Sequence, residues 1–584
     1  MPRIVKLILV PVAMLLLLSN PMAQQPSTAD KRESEPATGT LRGTVVNENG
    51  QPISGATVML RFSTPSAFTR SAITDNEGNF QFSNLERALY VVTSNSPAHV
   101  MRPLPRDEQP PFRRIGDSVR LELVRGGVIT GLVTNALNEP LIAVRVVAVR
   151  VREEDGQPVK GAPSAFGDRT TDDRGMFRIY GLLPGTYVVM AGGSATFGLS
   201  QLSPYEMDVP TFAPSSTRDN AVEIAVRSGE ESNVDIRYRG EPGRIVSGTV
   251  KGDIGPAFAN ITMTGVGGGV STMTAQPPGG RGFEFRGVAD GVYELVAQQT
   301  LTAVGSQFPE VGFSEPRRIT VKGSDVTGIE LTPKPMAAIT GKLVLAPSNA
   351  EQCQGKRRPL LSETIVTLQR NTKNVESEPA SSMRPFFSIA SPDKEGTIAF
   401  RNLTGGQYSF ASRFFARYWY LQSITLPNTA TAAAAKAAPA KIDGARNWTT
   451  LKSGDRFTGL TITLAEGAAS LRGKLDIPAA TKLPVDVDLF LVPAEKEKAD
   501  DVLRYFVAEL LADGTFSADN LAPGRYWIVT QQRAGTERPA TLKLRLPDAF
   551  ETRIKLRRAA EVMNTAIELK PCQSVTDYSL KLEP

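Results

Sequence analysis

The chain has 584 residues, a formal net charge of +6, two cysteines and a single histidine, His99. A zinc carboxypeptidase needs two histidines on its metal, and a serine or cysteine triad needs one as its base. The positive charge is slight and scattered, unlike the clustered basic face of a nucleic-acid-binding protein. We therefore expect no catalytic residues, no metal site, no cofactor and no nucleic-acid partner.

The N-terminus has the features of a cleaved signal peptide. Basic residues precede the apolar run Leu7–Leu18, and the small residue Ala23 suits cleavage. The run is too short for a comfortable membrane span, although an uncleaved anchor is the alternative. We expect residues 1–23 to be removed and residues 24–39 to form a polar leader. The mature chain would then be periplasmic or extracellular, without an integral membrane segment.

One pattern recurs five times along the rest of the chain. In each copy an apolar residue stands ten positions before a tyrosine, another stands five positions before it, and a glycine or alanine stands two positions before it. The alternation around this Gly/Pro-rich turn is typical of an antiparallel hairpin with one buried face. We expect each ring to be buried and each hydroxyl to bond the backbone, as at the tyrosine corner of immunoglobulin-like sandwiches. These hairpin tyrosines are Tyr90, Tyr187, Tyr293, Tyr408 and Tyr526.

Each copy lies in a segment of roughly a hundred residues, the usual size of one β-sandwich. The spacing therefore predicts an all-β chain, a tandem array of five immunoglobulin-like or transthyretin-like sandwiches with one possible short helix near the C-terminus. Only a few residues separate one segment from the next, which indicates a beaded rod with restricted hinges. The predicted sandwiches, called units one to five, cover residues 40–125, 126–240, 241–334, 335–466 and 467–584.

Unit one resembles carboxypeptidase regulatory-like domains in three features. These are the opening strand with Gly43, the turn Asn49–Ala56, and the hairpin that runs from Asp75 to Tyr90. Unit two carries the same features, and the later units carry them in weaker form. The resemblance implies transthyretin-like sandwiches of about seven strands, in arrays similar to exported proteins of Gram-negative bacteria. It implies no catalysis, because in zinc carboxypeptidases the active site belongs to a separate domain.

The densest aromatic cluster of the chain lies in unit four, around Tyr418 and Tyr420. Its alternation predicts a strand with Trp419 and Leu421 in the core and the two tyrosines facing solvent. Aromatic rings in that position are candidates for stacking on a sugar ring or a peptide side chain. The alanine-rich tract 429–440 predicts a mobile surface insertion.

In unit five, two patterns near the C-terminus compete. Asp548 and Glu551 resemble a capping box that opens a helix ending at about Met563. The alternation of Phe550, Thr552, Ile554 and Leu556 indicates a strand instead.

The two cysteines are Cys353 in unit four and Cys572 near the end of unit five. Export to an oxidising compartment favours a disulfide, with two separate thiols as the alternative. Such a bond would stiffen the junction between units four and five.

The sequence thus predicts an exported, non-catalytic binding or scaffold protein of the cell envelope. Its partner would be an envelope protein or a polysaccharide. One alternative is an array of carbohydrate-binding modules, which exposed aromatic residues in a shallow groove would favour. The other is a carboxylate-based hydrolase, which a deep acidic pocket would favour.

Overall fold

The computed structural model shows a chain of β-sandwiches. The predicted signal peptide, the polar leader up to residue 37 and the tract 429–440 lie outside the described residues. No helix in the described part of the chain is long and apolar enough to span a membrane. The structure describes residues 38–62, 69–102, 111–159, 168–193, 204–252, 259–266, 272–275, 282–300, 310–371, 387–427, 441–476, 487–511, 513–532 and 541–581.

Every unit is organised around its opening strand. This strand pairs antiparallel with the first strand of the repeated hairpin and parallel with the closing strand of the unit. The start of the opening strand therefore lies beside the preceding unit, together with the end of its antiparallel partner. The five opening strands are Thr38–Asn47, Gly127–Thr134, Arg244–Val250, Ala337–Ala346 and Ala469–Asp476.

Unit one is a sandwich of two four-stranded sheets. Leu41, Val58 and Phe82 are among the apolar side chains that fill the space between them. The first sheet contains, in spatial order, Asn79–Glu86, Thr38–Asn47, Ser118–Arg125 and His99–Met101. The second contains Thr69–Ile73, Thr57–Phe62, Tyr90–Asn95 and Phe112–Arg113.

Units two and three repeat this arrangement with additional short edge strands. One sheet of unit two contains Met176–Leu182, Gly127–Thr134, Glu231–Asn233 and Ile236–Arg237. The other contains Asp168–Thr170, Arg145–Arg152, Gly185–Ala191, Thr211–Phe212 and Ile224–Val226. One sheet of unit three contains Gly282–Val288, Arg244–Val250 and Val326–Leu331. The other contains Thr272–Ala275, Ala259–Gly265, Gly291–Thr300, Val311–Phe313, Lys334–Pro335 and Arg317–Val321.

The first sheet of unit four has five strands, because the strand that carries the aromatic cluster pairs at its side. That sheet contains Thr397–Leu403, Ala337–Ala346, Arg456–Glu466, Trp419–Pro427 and Lys441–Asp443. The second sheet contains Phe387–Ala390, Ile365–Arg370, Gly406–Arg413 and Thr449–Leu451. Trp419 and Leu421 are buried in the core between the sheets, as their alternation predicts.

In unit five the two layers join into one seven-stranded sheet. The joint is a tight hairpin in which the Leu511 N–H donates to the carbonyl oxygen of Thr515. In spatial order the strands are Ala566–Leu569, Gly524–Gln532, Val487–Pro493, Phe506–Leu510, Thr515–Leu521, Ala469–Asp476 and Ser574–Lys581.

The C-terminal region of unit five forms the predicted helix, so the strand interpretation is wrong. A short helix, Thr541–Leu544, precedes the main helix Phe550–Met563. Leu556 and Ala560, four positions apart on the main helix, pack in an apolar cluster with Phe490 of the sheet. This packing stabilises a helix here instead of a strand. The predicted capping box does not form, because Asp548 lies in a preceding 3-10 turn and Ala549 makes no side-chain cap bond.

Unit one contacts unit four, and this unit one–unit four contact corrects the predicted rod. Leu89 and Phe112 of unit one form a buried cluster with Ile365 of unit four. These side chains lie outside the cores of their own sandwiches, and burying them against each other removes apolar surface from water. The chain therefore folds back on itself between units one and four instead of extending as a row of beads.

Candidate functional site

The hairpin tyrosines anchor the turn of every unit. Their side chains are between 0% and 5% exposed, and burial raises the pKa of Tyr90, Tyr187 and Tyr293 to about 12. The hydroxyls therefore stay protonated at neutral pH and act as donors. Each donates to the backbone oxygen four residues earlier, on Glu86, Leu183, Ala289, Thr404 and Ala522.

In three units an arginine occupies the space that a side chain two positions before the tyrosine would fill. A Cβ atom on Gly185 would lie 2.5 Å from Nε of Arg150, and one on Gly406 would lie 2.8 Å from Nε of Arg370. In unit five Arg504 occupies the corresponding space at Gly524, although Arg504 does not lie on the strand that pairs with the hairpin. Each guanidinium donates to a carbonyl of its hairpin turn. The glycine of the repeat is required there, since its φ is also positive in all three units.

A second repeated position lies six residues before each hairpin tyrosine. The sequence pattern described above does not include it. The register of the strand pairing shifts there in every unit, so the residue lies in a β-bulge. Glycine and asparagine adopt the left-handed backbone of such a bulge most readily, and only these two types occur. These bulge residues are Asn84, Gly181, Gly287, Asn402 and Asn520, with φ of 55°, 73°, 64°, 57° and 58°.

The topology places the bulge residue at the junction with the preceding unit. In units two and three it is a glycine, and in unit three the missing Cβ permits close approach of the backbone. A Cβ on Gly126, the first residue of unit two, would lie 2.8 Å from Cα of Gly181, and a Cβ on Gly181 itself would lie 3.8 Å from the side chain of Val100 in unit one. A Cβ on Gly287 would lie 2.5 Å from the carbonyl oxygen of Asp208 in unit two.

In units four and five the bulge residue is an asparagine that bonds the preceding unit through its side chain. Asn402 accepts from the Val311 N–H of unit three at 2.9 Å. Asn520 donates to two backbone oxygens of unit four, on Ala416 at 2.9 Å and on Trp419 at 2.7 Å. The bulge residue therefore lies at every junction between consecutive units.

The junction between units four and five carries further links. Cys353 and Cys572 form a disulfide with their Cα atoms 5.3 Å apart. Val502 and Leu503 of unit five are buried in the same apolar cluster as Trp419 of unit four. The two units thus share one core across their boundary.

Tyr418 and Tyr420 lie at this junction and do not face solvent freely, which corrects the predicted orientation. Both side chains are half-buried. The ammonium group of Lys356 lies 4.8 Å from the ring centre of Tyr418, and burial raises the pKa of Tyr420. The backbone oxygen of Tyr418 accepts from Gly467 and Ala468 as the chain enters unit five. From Trp419 the strand alternates as predicted, whereas Tyr418 lies in the turn before it and packs against the core cluster of unit four.

A buried carboxylate reinforces the unit one–unit four contact. The Glu363 side chain is 3% exposed, and its Oε1 lies 3.5 Å from Nε of Arg87 in unit one. Arg357 of unit four pairs with the same carboxylate. Removing one partner of a buried pair is costly, about 3–5 kcal/mol, because it leaves an uncompensated charge. The contact therefore includes a buried ion pair as well as apolar packing.

His99, the single histidine of the chain, lies on the short strand His99–Met101. Burial lowers its pKa below the usual value. In the part of the chain that the structure describes, no three His, Cys, Asp or Glu side chains are grouped so that they could hold a metal ion.

Residues 40–101 match the carboxypeptidase regulatory-like domain. The match covers most of unit one, where the opening strand, the turn and the hairpin carry the resemblance. No curated protein matches the chain.

Solved structures with distant similarity include two bacterial pilins and repeat units of a collagen-binding protein. The minor pilin GBS52 of Streptococcus agalactiae is 15% identical over 34% of this chain and 96% of its own, with a TM-score of 0.19. The major pilin BcpA of Bacillus cereus is 12% identical over 50% and 99%, with a TM-score of 0.14. Two B repeat units of the Staphylococcus aureus collagen-binding protein are 12% identical over 74% and 100%, with a TM-score of 0.12. TM-scores this low support no inference about function.

Proposed function

We propose that this protein is an exported, non-catalytic scaffold of the cell envelope that holds five sandwich units in a fixed arrangement. The observation that carries the proposal is the use of the bulge residue at every junction between consecutive units. Interfaces between domains of one chain are by default loose enough for relative motion. Here the junctions combine short links, specific backbone or side-chain contacts and, between units four and five, a shared core.

Two further observations support the proposal. The unit one–unit four contact ties the start of the array to a unit far along the chain, which restricts hinge motion at the junctions between them. The Cys353–Cys572 disulfide suits an oxidising compartment, where the predicted signal peptide would direct the chain. A scaffold of this type would present its outer surfaces to an envelope protein or a polysaccharide in fixed relative positions.

The proposal is tested by small-angle X-ray scattering of the full chain and of Leu89→Asp. The aspartate places a charge in the apolar unit one–unit four contact, where Leu89 is fully buried. We expect the unmodified chain to scatter as one compact particle and the variant to show a larger radius of gyration. Leu137→Asp is the matched control, because Leu137 of unit two is 77% exposed.

Several outcomes would contradict the scaffold. An unmodified chain that scatters as an ensemble of extended shapes would show that the units move independently. Equal expansion of both variants would show that the unit one–unit four contact is not the cause. Export is tested separately by cell fractionation with N-terminal sequencing, and a cytoplasmic chain that retains residues 1–23 would contradict it.

The carbohydrate-binding alternative draws little support from Tyr418 and Tyr420, because each ring is half-buried at the junction. A different feature of the same two units favours a sugar ligand.

A further inference from the structure

We propose that a cleft between unit four and the main helix of unit five binds a carboxylated sugar residue, that is, a uronic acid. The cleft has a volume of about 300 Å³, at the lower end of the range for small-molecule sites. The helix Phe550–Met563 forms one wall, and Asp500 and Tyr505 of unit five form another. Arg446 of unit four closes one side, and the other lining residues belong to unit five.

The positive charge of the cleft comes from helix arginines that backbone oxygens hold in place. Arg553 is 5% exposed and donates to the carbonyl oxygens of Leu544 at 2.6 Å and Leu546 at 2.7 Å. Arg557 donates to the carbonyl oxygens of Pro493 and Ala494. A carbonyl group orients a guanidinium but does not neutralise its charge. These two arginines therefore give the cleft a fixed positive wall.

Arg558 extends that wall to the rim. It is exposed, and within the described residues it makes no hydrogen bond or ion pair. Arg446 on the other side pairs with Asp500 at 2.8 Å, and both of these side chains are more than half exposed. The cleft thus combines four arginines with two carboxylates, on Asp500 and Glu561. Its net positive charge favours an anion.

The shape of the charged groups favours a carboxylate as that anion. The planar guanidinium of Arg558 can donate two parallel hydrogen bonds to one carboxylate. A dianionic phosphate would be repelled more strongly by Asp500 and Glu561. The ligand therefore carries a single negative charge that the rim arginine can approach from solvent.

The remaining lining selects the body of the ligand. Asp500 and Glu561 accept hydrogen bonds only, so they match the hydroxyl groups of a sugar and not an apolar ring. Phe550 is 48% exposed beside Ile554, and this apolar surface suits the C–H face of a pyranose. A neutral sugar would leave the arginines without a counter-charge. A carboxylate, hydroxyl groups and an apolar ring face together describe a uronic acid.

Isothermal titration of the full chain with glucuronate, glucose and an oligogalacturonate tests the site. We expect saturable binding of glucuronate and binding of glucose at least about tenfold weaker, the effect of losing one charged hydrogen bond. Tighter binding of the oligogalacturonate than of glucuronate would identify a polymer as the source of the residue. Equal binding of the two would indicate a free or terminal sugar acid.

Two helix variants separate the cleft from general attraction to a basic surface. Arg558→Gln should weaken glucuronate binding about tenfold, whereas Lys555→Gln removes a charge from the same helix outside the cleft and should leave binding unchanged. The inference is overturned if neither acid binds saturably, if glucose binds as tightly as glucuronate, or if both variants lose affinity equally. None of these results depends on the scattering that tests the scaffold, so the two proposals fail independently.

Discussion

The junction between units four and five and the junction between units one and two use the same repeat position in different ways. In the first, Asn520 bonds two backbone oxygens of the preceding unit, and the two units share a core and a disulfide. In the second, Gly181 lies against Gly126, and an ion pair between Arg102 and Glu154 is more than half exposed. Exposed pairs contribute little, about 0–1 kcal/mol.

The comparison shows how a repeat can produce junctions of different strength. The left-handed backbone of the bulge admits only residues that tolerate it, chiefly glycine and asparagine. A glycine adds no side chain to the junction, whereas an asparagine adds directional hydrogen bonds. We therefore expect units four and five to unfold together and units one and two to unfold more independently.

The largest expected effect comes from replacing the hairpin tyrosine of unit two or of unit five. Tyr187→Ala and Tyr526→Ala should each destabilise their unit by about 3–5 kcal/mol, the range for a buried aromatic residue. Differential scanning calorimetry should show a single affected transition for Tyr187→Ala. For Tyr526→Ala the transition of unit four should shift as well, because the core is shared. An unchanged profile for Tyr187→Ala would contradict its anchoring role.

Removing the disulfide should have a smaller effect on stability. Disulfides typically contribute about 2–4 kcal/mol by restricting the unfolded chain, and less is expected where each linked unit folds locally. Cys572→Ser should leave units four and five folded and increase the flexibility of their junction in solution scattering. Mass spectrometry after alkylation, with and without reductant, checks the bond itself. Two freely alkylated thiols in the native exported chain would contradict it.

The units in which the bulge residue is a glycine provide a third test. Gly287→Asn should destabilise the junction of units two and three by about 1–3 kcal/mol, the cost of overpacking, because its Cβ would meet two carbonyl oxygens. Gly181→Asn is the matched control, since the nearest atom to its Cβ lies 3.8 Å away, on Val100. Chemical denaturation of both variants checks the difference. Equal losses would show that close approach is not what selects glycine.

An effect of similar size isolates the asparagine hydrogen bonds. Asn520→Ala loses both the bonds to unit four and the preference for a left-handed backbone, whereas Asn84→Ala in unit one loses only the backbone preference. Asn84 has the same geometry on an exposed strand end. The difference between the two losses in unfolding free energy should be about 1–3 kcal/mol, the cost of leaving buried groups unbonded. A difference near zero would mean that Asn520 does not stabilise the junction.

The N-terminal resemblance, the tandem sandwiches and the C-terminal helix could be predicted from the sequence, because each rests on local pattern. Alternating residues such as Phe177 and Ile179 predict a half-buried strand wherever they occur. The Gly/Pro turn and the tyrosine recur at fixed spacing, so one hairpin explains five. The helix competed with a strand interpretation, and packing of Leu556 against the neighbouring sheet decided between them.

The role of the bulge residues could not be predicted from the sequence, because the groups that they contact are distant along the chain. Asn402 bonds a residue 91 positions away, and Asn520 bonds one 104 positions away. Aligning the five hairpins on their tyrosines shows only Asn or Gly at this position, which is the signal that could have revealed the bulge. Arg150 and Arg370 are similar, since each stands opposite its tyrosine only after the strands pair.

What the sequence alone determined is the repeating unit, since hydrophobic alternation and turn chemistry act between near neighbours. Only the tertiary structure decided how the units are arranged. Leu89, Phe112 and Ile365 look like ordinary strand residues, and nothing local indicates that they bury one another. The predicted rod was wrong for that reason. A contact between two complete sandwiches depends on surfaces that exist only after both have folded.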